Sequence, residues 1–461
     1  MNLARRTGDV SHWWSAIGQP EPSDPLPGDA EADVVIVGAG YTGLWAAYYL
    51  SELRPDLEVR LVEQRFAGYG ASGRNGGWLS ATVTGGLDGY ARTHPRADVA
   101  RFQQAMIDAV AEVIAVAERH GIDAGIRRGG TLLVARNAAQ EERARDLVAR
   151  AERWPTLGAV LLGPEESAAR VRVAETRAAV WEPHCARIDP ARLVRGLAAL
   201  VRARGVRIHE GTTARSIAPG RVVTDRGVIR ARHVLRATEG FTAGLDGERR
   251  TWVPMNSSMI ITDPLPEEAW AAIGWRGYET LEDLSHRYTY AQRTPDGRIA
   301  LGGRGYPYRF GSRTDLDGDI PEHTVRELRD ILVSWFPTLA GAGIAHGWSG
   351  VLGVPRNWRA TVAYDRDSGL GWAGGYVGTG VTATNLAGRT LADLVAGEST
   401  DRTTLPWVDQ RARRWEPEPL RWLGIHGLYR AYGIADRIET RGAARTSFVA
   451  RLGDRISGRT G

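Results

Sequence analysis

Four consecutive apolar residues at 34–37 predict a buried strand, and the apolar-rich stretch 41–53 predicts a helix with little polar surface. A second short run at 59–62 predicts another strand and stops at Glu63. From 97 to 120 the period changes. Val99, Phe102, Met106, Val110, Val113, Ile114 and Ala117 recur every three or four positions, the spacing of a long amphipathic helix. A strand at 131–135 and a charged helix at 140–153 follow. Helix 190–204, strand 206–209 and short strands ending at 233–237 then return to the pattern of the beginning. Candidate strands at 257–262, 286–292 and 298–302 form a mixed stretch, and an apolar helix at 381–396 is closed by Gly397 as its C-cap.

At 461 residues and 43% hydrophobic, the chain can bury a core large enough for two domains. No apolar run reaches the roughly 20 residues of a membrane span. Arg5-Arg6 leads into no continuous apolar segment, because Asp9 and His12 interrupt it, so the protein reads as cytoplasmic with no integral membrane segment. Cys185 is the sole cysteine, which excludes an intramolecular disulfide and a redox-active dithiol. All 59 basic residues are arginine, so no lysine Schiff base or P-loop lysine is available. Residues 401–461 hold twelve arginines against seven acids, an excess equal to the whole chain's +5. That tail mixes both signs and matches no nucleic-acid module, so it reads as a helical segment that is solvated or docks on the body or on another subunit of a homo-oligomer, with a peripheral membrane contact as the alternative.

Candidate chemistry begins with Gly38-Ala39-Gly40-Tyr41-Thr42-Gly43, which sits between the first predicted strand and helix; Glu63 lies twenty residues past the last glycine. Gly38 turns the chain out of the strand, Gly40 lets backbone approach a pyrophosphate, and Gly43 lets the helix pack on the sheet. The helix N-terminus supplies N–H groups and a positive dipole end, and Glu63 accepts from ribose hydroxyls. This is an adenine-dinucleotide fingerprint in full context. Residues 68–77 then place five glycines in ten positions, with Ser72, Arg74 and Asn75 between them. Successive amides there can wrap an anion, with Arg74 as a permanent cation. A third glycine turn, 374–380, opens the helix at 381–396 and can aim its N-terminus at a group that gains negative charge. Although Gly378, Gly380 and Ala383 satisfy GxGxxA, no second strand precedes Glu398, so this is not a second Rossmann unit.

Together with Ile188-Asp189-Pro190, Ala237-Thr238-Glu239-Gly240-Phe241, Asp296-Gly297-Arg298, Gly302-Gly303 and Trp348-Ser349-Gly350, these turns resemble the D-amino-acid oxidase and glycine oxidase superfamily of FAD enzymes. The Ser72-to-Gly77 string resembles its gamma-glutamylputrescine oxidase-like branch most. The resemblance implies an α/β fold: a glutathione-reductase-like, Rossmann-type FAD domain interleaved with an α+β substrate domain whose antiparallel sheet roofs the flavin. The expected division is an arm over 1–32, FAD segments 33–84, 185–245 and 339–400, substrate segments 85–184 and 246–338, and a helical tail over 401–461. Expected FAD contacts are Gly38, Gly40, Tyr41, Thr42, Gly43, Glu63, Gln64, Arg65, Gly70, Ser72, Gly73, Arg74, Asn75, Gly76, Gly77, Thr213, Ala214, Ala237, Thr238, Gly350, Gly378, Thr379, Gly380, Val381 and Thr382.

Members of this superfamily oxidise a C–N bond by hydride transfer to flavin N5, giving an imine that hydrolyses, with oxygen commonly reduced to hydrogen peroxide. Relatives that tether the flavin use a late-segment cysteine; Cys185 lies elsewhere, so the expected FAD is non-covalent. Some relatives activate oxygen with a lysine, and this chain has none, which leaves oxygen or another electron partner as acceptor. Trp78, Trp348, His346, Tyr288, Tyr290, Arg293 and Arg304 are the substrate-pocket candidates. Aromatic walls would exclude water, and an arginine would bind a carboxylate. His184 beside Cys185 finds no further ligands at zinc spacing, so no metal is expected. A pyridine-nucleotide-dependent dehydrogenase or monooxygenase would need a second nucleotide site; a non-catalytic flavoprotein stays open.

Overall fold

The computed structural model describes residues 3–303, 305–314 and 317–457. The candidate Arg304 lies outside the described residues. Among them the chain forms two large sheets whose segments interleave along the sequence.

The first sheet has a parallel core. Arg207–His209, Val59–Val62, Ala30–Val37, Val228–Arg236 and Leu370–Gly374 lie side by side, each neighbouring pair parallel. An antiparallel pair, Arg221–Thr224 and Ala214–Ala218, extends it beyond Val228–Arg236. Helices Tyr41–Leu53 and Gly380–Ala396 pack against each other and are buried over most of their length, which accounts for their apolar-rich sequences. A Cβ on Gly388 would lie 2.5 Å from Trp45 Cβ, so this helix crossing depends on the missing side chain.

The second sheet has nine strands and is mostly antiparallel. In order they are Ala4–Thr7, Ile344–Val354, Val253–Thr262, Ile299–Gly302, Tyr290–Arg293, Thr280–Asp283, Thr131–Ala135, Ala178–Glu182 and Val160–Leu162. The long amphipathic helix, Arg96–Arg119, buries the expected apolar stripe.

Three expectations need correction. Residues 344–354, grouped with the nucleotide segments, form a strand of the nine-stranded sheet, paired along its length with Val253–Thr262. The N-terminal arm is not only a lead-in: Ala4–Thr7 adds a parallel edge strand beside Ile344–Val354, and His12–Ile17 is a helix with Trp13 and Trp14 buried. The strand expected at 286–292 begins only at Tyr290. Asp283 accepts the N–H groups of Ser285 and Thr289, and Asp436 those of His286 and Arg287, so side-chain carboxylates hold these residues as a loop.

The C-terminal tail docks on the body. Helix Leu420–Thr440 is pinned by Glu439, whose side chain is fully buried and takes Arg143 Nη2 at 2.7 Å, His286 Nε2 at 2.7 Å and Ser447 N–H at 3.0 Å. Burial alone would raise that carboxyl, but hydrogen bonds from His286, Arg143 and Ser447 hold it down at about 2.

Candidate functional site

Out of the strand Ala30–Val37 the chain turns at Gly38, whose φ of +103° and place 2.6 Å (as a built Cβ) from Ala237 O admit only glycine. Helix Tyr41–Leu53 starts immediately after. Leu44 is the first residue whose N–H finds an intrahelical acceptor, Gly40 O at 3.0 Å, so the amides before it point out of the helix end. Tyr41 N–H is taken by Ser72 Oγ at 2.8 Å, which ties the second glycine loop to this helix end. Thr42 Oγ1 lies 3.1 Å from Tyr376 Oη, which ties in the third turn. Three turns far apart in sequence therefore meet at one place.

They border a cleft of about 810 Å3. Of the expected cofactor contacts, Gly38, Gly40, Tyr41 and Thr42 line it at the helix end, Glu63, Gln64, Arg65, Thr213 and Ala214 line it too, as do Gly70, Ser72 and Asn75 of the second turn; Ala237, Thr238, Gly378, Gly380 and Val381 complete it. Glu63 takes Ala39 N–H on Oε2 at 3.0 Å and Arg65 N–H on Oε1 at 3.1 Å. Burial pushes the carboxyl up to about 7 against those two donors. A helix end with free amides and a carboxylate one strand away form a donor set for an anion and an acceptor for a diol, so an adenine dinucleotide fits the residues present.

Other expected contacts lie behind the cleft and not on it. A Cβ on Gly43 would overlap Gly38 O, in keeping with a packing role. Gly73 and Gly77 face Trp14 and Gln292, and a Cβ on Gly76 would stand 2.6 Å from the Tyr290 ring. Arg74 is the clearest correction. It is 2% exposed and turned inward, donating to Tyr69 O at 2.8 Å and Ser349 O at 3.3 Å with its guanidinium over the Tyr69 ring, so it braces the loop from beneath. Gly350 backs onto Arg74 Cβ. Thr379 is the N-cap of helix Gly380–Ala396 and bonds Tyr376 O, and Thr382 is buried in that helix's first turn.

The substrate candidates divide in two. Trp78 and Tyr290 meet edge to face with centroids 5.9 Å apart, Tyr290 Oη lies 3.0 Å from Ser257 Oγ, and Tyr288 Oη is 3.8 Å from where a Gly378 Cβ would sit. These three aromatics gather beside the second and third glycine turns. Trp348 backs the second turn from the core side, and His346 and Arg293 lie away from both turns. Trp348 is fully buried, stacked with His12 and edge to face with Trp13, and its indole N–H donates to Arg74 O at 2.9 Å. His346 is bonded to Gly8 O at 2.8 Å beneath the N-terminal segment. Arg293 donates to Trp275 O and stacks on Trp270 and Tyr278. All three are held by core partners, which is what a strand in a covered sheet provides.

Sequence reasoning missed Glu239 and Tyr376 as cleft residues. Glu239 follows directly after Ala237-Thr238; its carboxylate accepts Gly375 N–H at 2.8 Å and Tyr376 N–H at 3.2 Å. Burial pushes it up to about 7 despite those donors. An acid set among small and apolar motif residues was the available signal. Cys185 is buried, its thiol pushed up to about 11 by burial, and takes a hydrogen bond from Thr280. His286, Asp436 and Glu439 bring three ligand-type atoms within 4.8 Å of one another, but Arg143 lies among them as the cation that balances Glu439.

Comparison with known proteins agrees with this geometry. The family model "FAD dependent oxidoreductase" (DAO) matches residues 33–394. The chain is 31% identical over 399 residues to a probable oxidoreductase OrdL of Rhizobium meliloti, and 30% identical over 402 residues to the gamma-glutamylputrescine oxidoreductase of Escherichia coli; each match covers 84% of this chain and 89% of the relative. Among solved structures, glycine oxidase from Geobacillus kaustophilus superposes with a TM-score of 0.68 at 21% identity, over 83% of this chain and 100% of that one. L-proline dehydrogenase from P. horikoshii gives 0.65 at 20% identity, over 83% and 96%.

Proposed function

The chain belongs to the DAO family of FAD-dependent oxidoreductases, and from that premise we propose that it oxidises a C–N bond of an amine or amino acid with FAD held non-covalently in the cleft. The observation that carries this reading is the meeting of three separated glycine turns around one cleft that Glu63 also lines, with the Trp78, Tyr288 and Tyr290 cluster beside the second and third turns.

In this reading the open amides of Gly40 and Thr42 and the dipole end of Tyr41–Leu53 hold the pyrophosphate. Glu63 accepts from the adenosine ribose hydroxyls, while Gln64, Arg65, Thr213 and Ala214 flank the adenosine. The N-terminus of Gly380–Ala396, which lines the same cleft, would supply a positive dipole end to stabilise negative charge on the reduced flavin. Bound FAD supplies the hydride acceptor, N5 of its ring. Trp78, Tyr288 and Tyr290 wall the substrate's alkyl chain and exclude water from the reacting carbon. The imine that leaves is hydrolysed to a carbonyl and an amine or ammonia. Oxygen would be the electron acceptor, giving hydrogen peroxide. The name of the Escherichia coli relative puts gamma-glutamyl amines among the first substrates to try.

The test is anaerobic reduction of the FAD-loaded protein across polyamines, gamma-glutamyl amines and D- and L-amino acids. At least one compound bleaches the flavin without pyridine nucleotide; bleaching by NADPH alone would refute the proposal.

A further inference from the structure

Six of the twelve large apolar side chains that remain exposed among the described residues belong to the last two helices. On helix Leu420–Thr440, Leu420, Leu423, Ile434 and Ile438 are 61%, 55%, 48% and 42% exposed, and their spacing places them on one stripe. On the adjoining helix Phe448–Ser457, Phe448 and Leu452 do the same. The two helices pack through Tyr432, Ala435 and Ala450, so the exposed apolar residues are not needed to hold them together.

Charge decides what such a surface can meet. Exposed Arg430, Arg437, Arg441, Arg451 and Arg455 are interleaved with these apolar positions. All three acids of residues 420–457 are turned to partners within the protein: Asp436 to the His286 and Arg287 amides, Glu439 to Arg143 and His286, and Asp454 to the Tyr432 hydroxyl at 2.6 Å. The outer face therefore presents one sign of charge among apolar side chains. Self-association through this face about a two-fold axis would set arginine against arginine. An anionic bilayer surface complements both features at once, since phosphate headgroups pair with guanidinium and the acyl boundary takes the Leu, Ile and Phe side chains. No described helix is long and apolar enough to cross a membrane, so contact of this kind is peripheral.

We propose that the outer face of helices Leu420–Thr440 and Phe448–Ser457 docks the enzyme on membranes containing anionic phospholipid. The glycine turns and the cleft take no part in the docking. The test is co-sedimentation of the full FAD-loaded chain with phosphatidylcholine vesicles, with and without phosphatidylglycerol, at low and high salt. Binding should need the anionic lipid and fall at high salt. Leu423→Glu combined with Ile434→Glu, and separately Arg437→Glu combined with Arg451→Glu, should each lower partitioning at least tenfold. Both variants should keep the FAD content and thermal midpoint of the parent, which separates lost docking from lost folding. Equal binding to both vesicle types, no binding to either, or a vesicle-independent dimer broken by the Leu423→Glu and Ile434→Glu pair would overturn the proposal.

Discussion

Substituting Gly40 by alanine separates ligand binding from folding, because the backbone there is already in a conformation open to every residue. Its φ of −80° and ψ of −174° carry no penalty for a side chain, and an added Cβ meets only Ser72 Oγ, at 3.0 Å. The fold should lose at most about 1 kcal/mol. The new methyl stands against Ser72 Oγ, the acceptor of Tyr41 N–H, between two residues that line the cleft where a phosphate would approach the amides. Losing one charge-assisted hydrogen bond costs about 1.5–3 kcal/mol, which raises the Kd for FAD by roughly 10- to 150-fold. The assay is titration of FAD into flavin-free protein by fluorescence quenching, with the thermal midpoint of the flavin-free protein as a control. Gly43→Ala gives the opposite outcome: its Cβ would overlap the Gly38 carbonyl, so the helix cannot seat and the yield of folded protein collapses. A Gly40→Ala protein that folds and binds FAD within twofold of the parent would refute the reasoning.

Further outcomes follow from burial and charge. Glu63, held near 7, keeps a proton in the folded state that the unfolded chain has released; the stability this gives is complete below the ordinary carboxylate range and is lost as pH rises through 7. Glu63→Gln should therefore flatten the fall in the flavin-free thermal midpoint between pH 5 and 8. Trp348→Ala should cost about 3–5 kcal/mol in denaturant unfolding because the indole is fully enclosed, whereas Trp78→Phe should leave stability nearly unchanged and alter KM for the amine. Arg143→Ala strips the main countercharge from buried Glu439; it should destabilise by about 3–5 kcal/mol and make the tail helix an early site of limited proteolysis.

Local pattern was enough for the parts of the fold that depend on neighbouring residues. The strand at 131–135 and the helices after Gly40 and Gly380 follow from apolar runs and glycine turns, and the cleft residues Gly38, Gly40, Glu63 and Gly378 follow from spacing. What failed depended on residues distant in sequence. Arg74 looks like an anion ligand until Tyr69 and Ser349 supply carbonyls beneath it, and Trp348 looks like a pocket wall until His12 and Trp13 cover it. The edge strand Ala4–Thr7 contains two arginines and one apolar position's worth of burial, so only its parallel pairing with residues 344–347 defines it. The loop at 284–289 is shaped by the carboxylates of Asp283 and Asp436, the latter about 150 residues away in sequence.

In the proposed holoenzyme, amides from three separated turns grip one FAD without a covalent bond. The most direct measurement is FAD uptake by the purified chain, followed by denaturation and separation of the supernatant. One FAD per chain should be recovered, all of it in the supernatant. A chain that takes up no FAD, or flavin that stays with the precipitated protein, would contradict it.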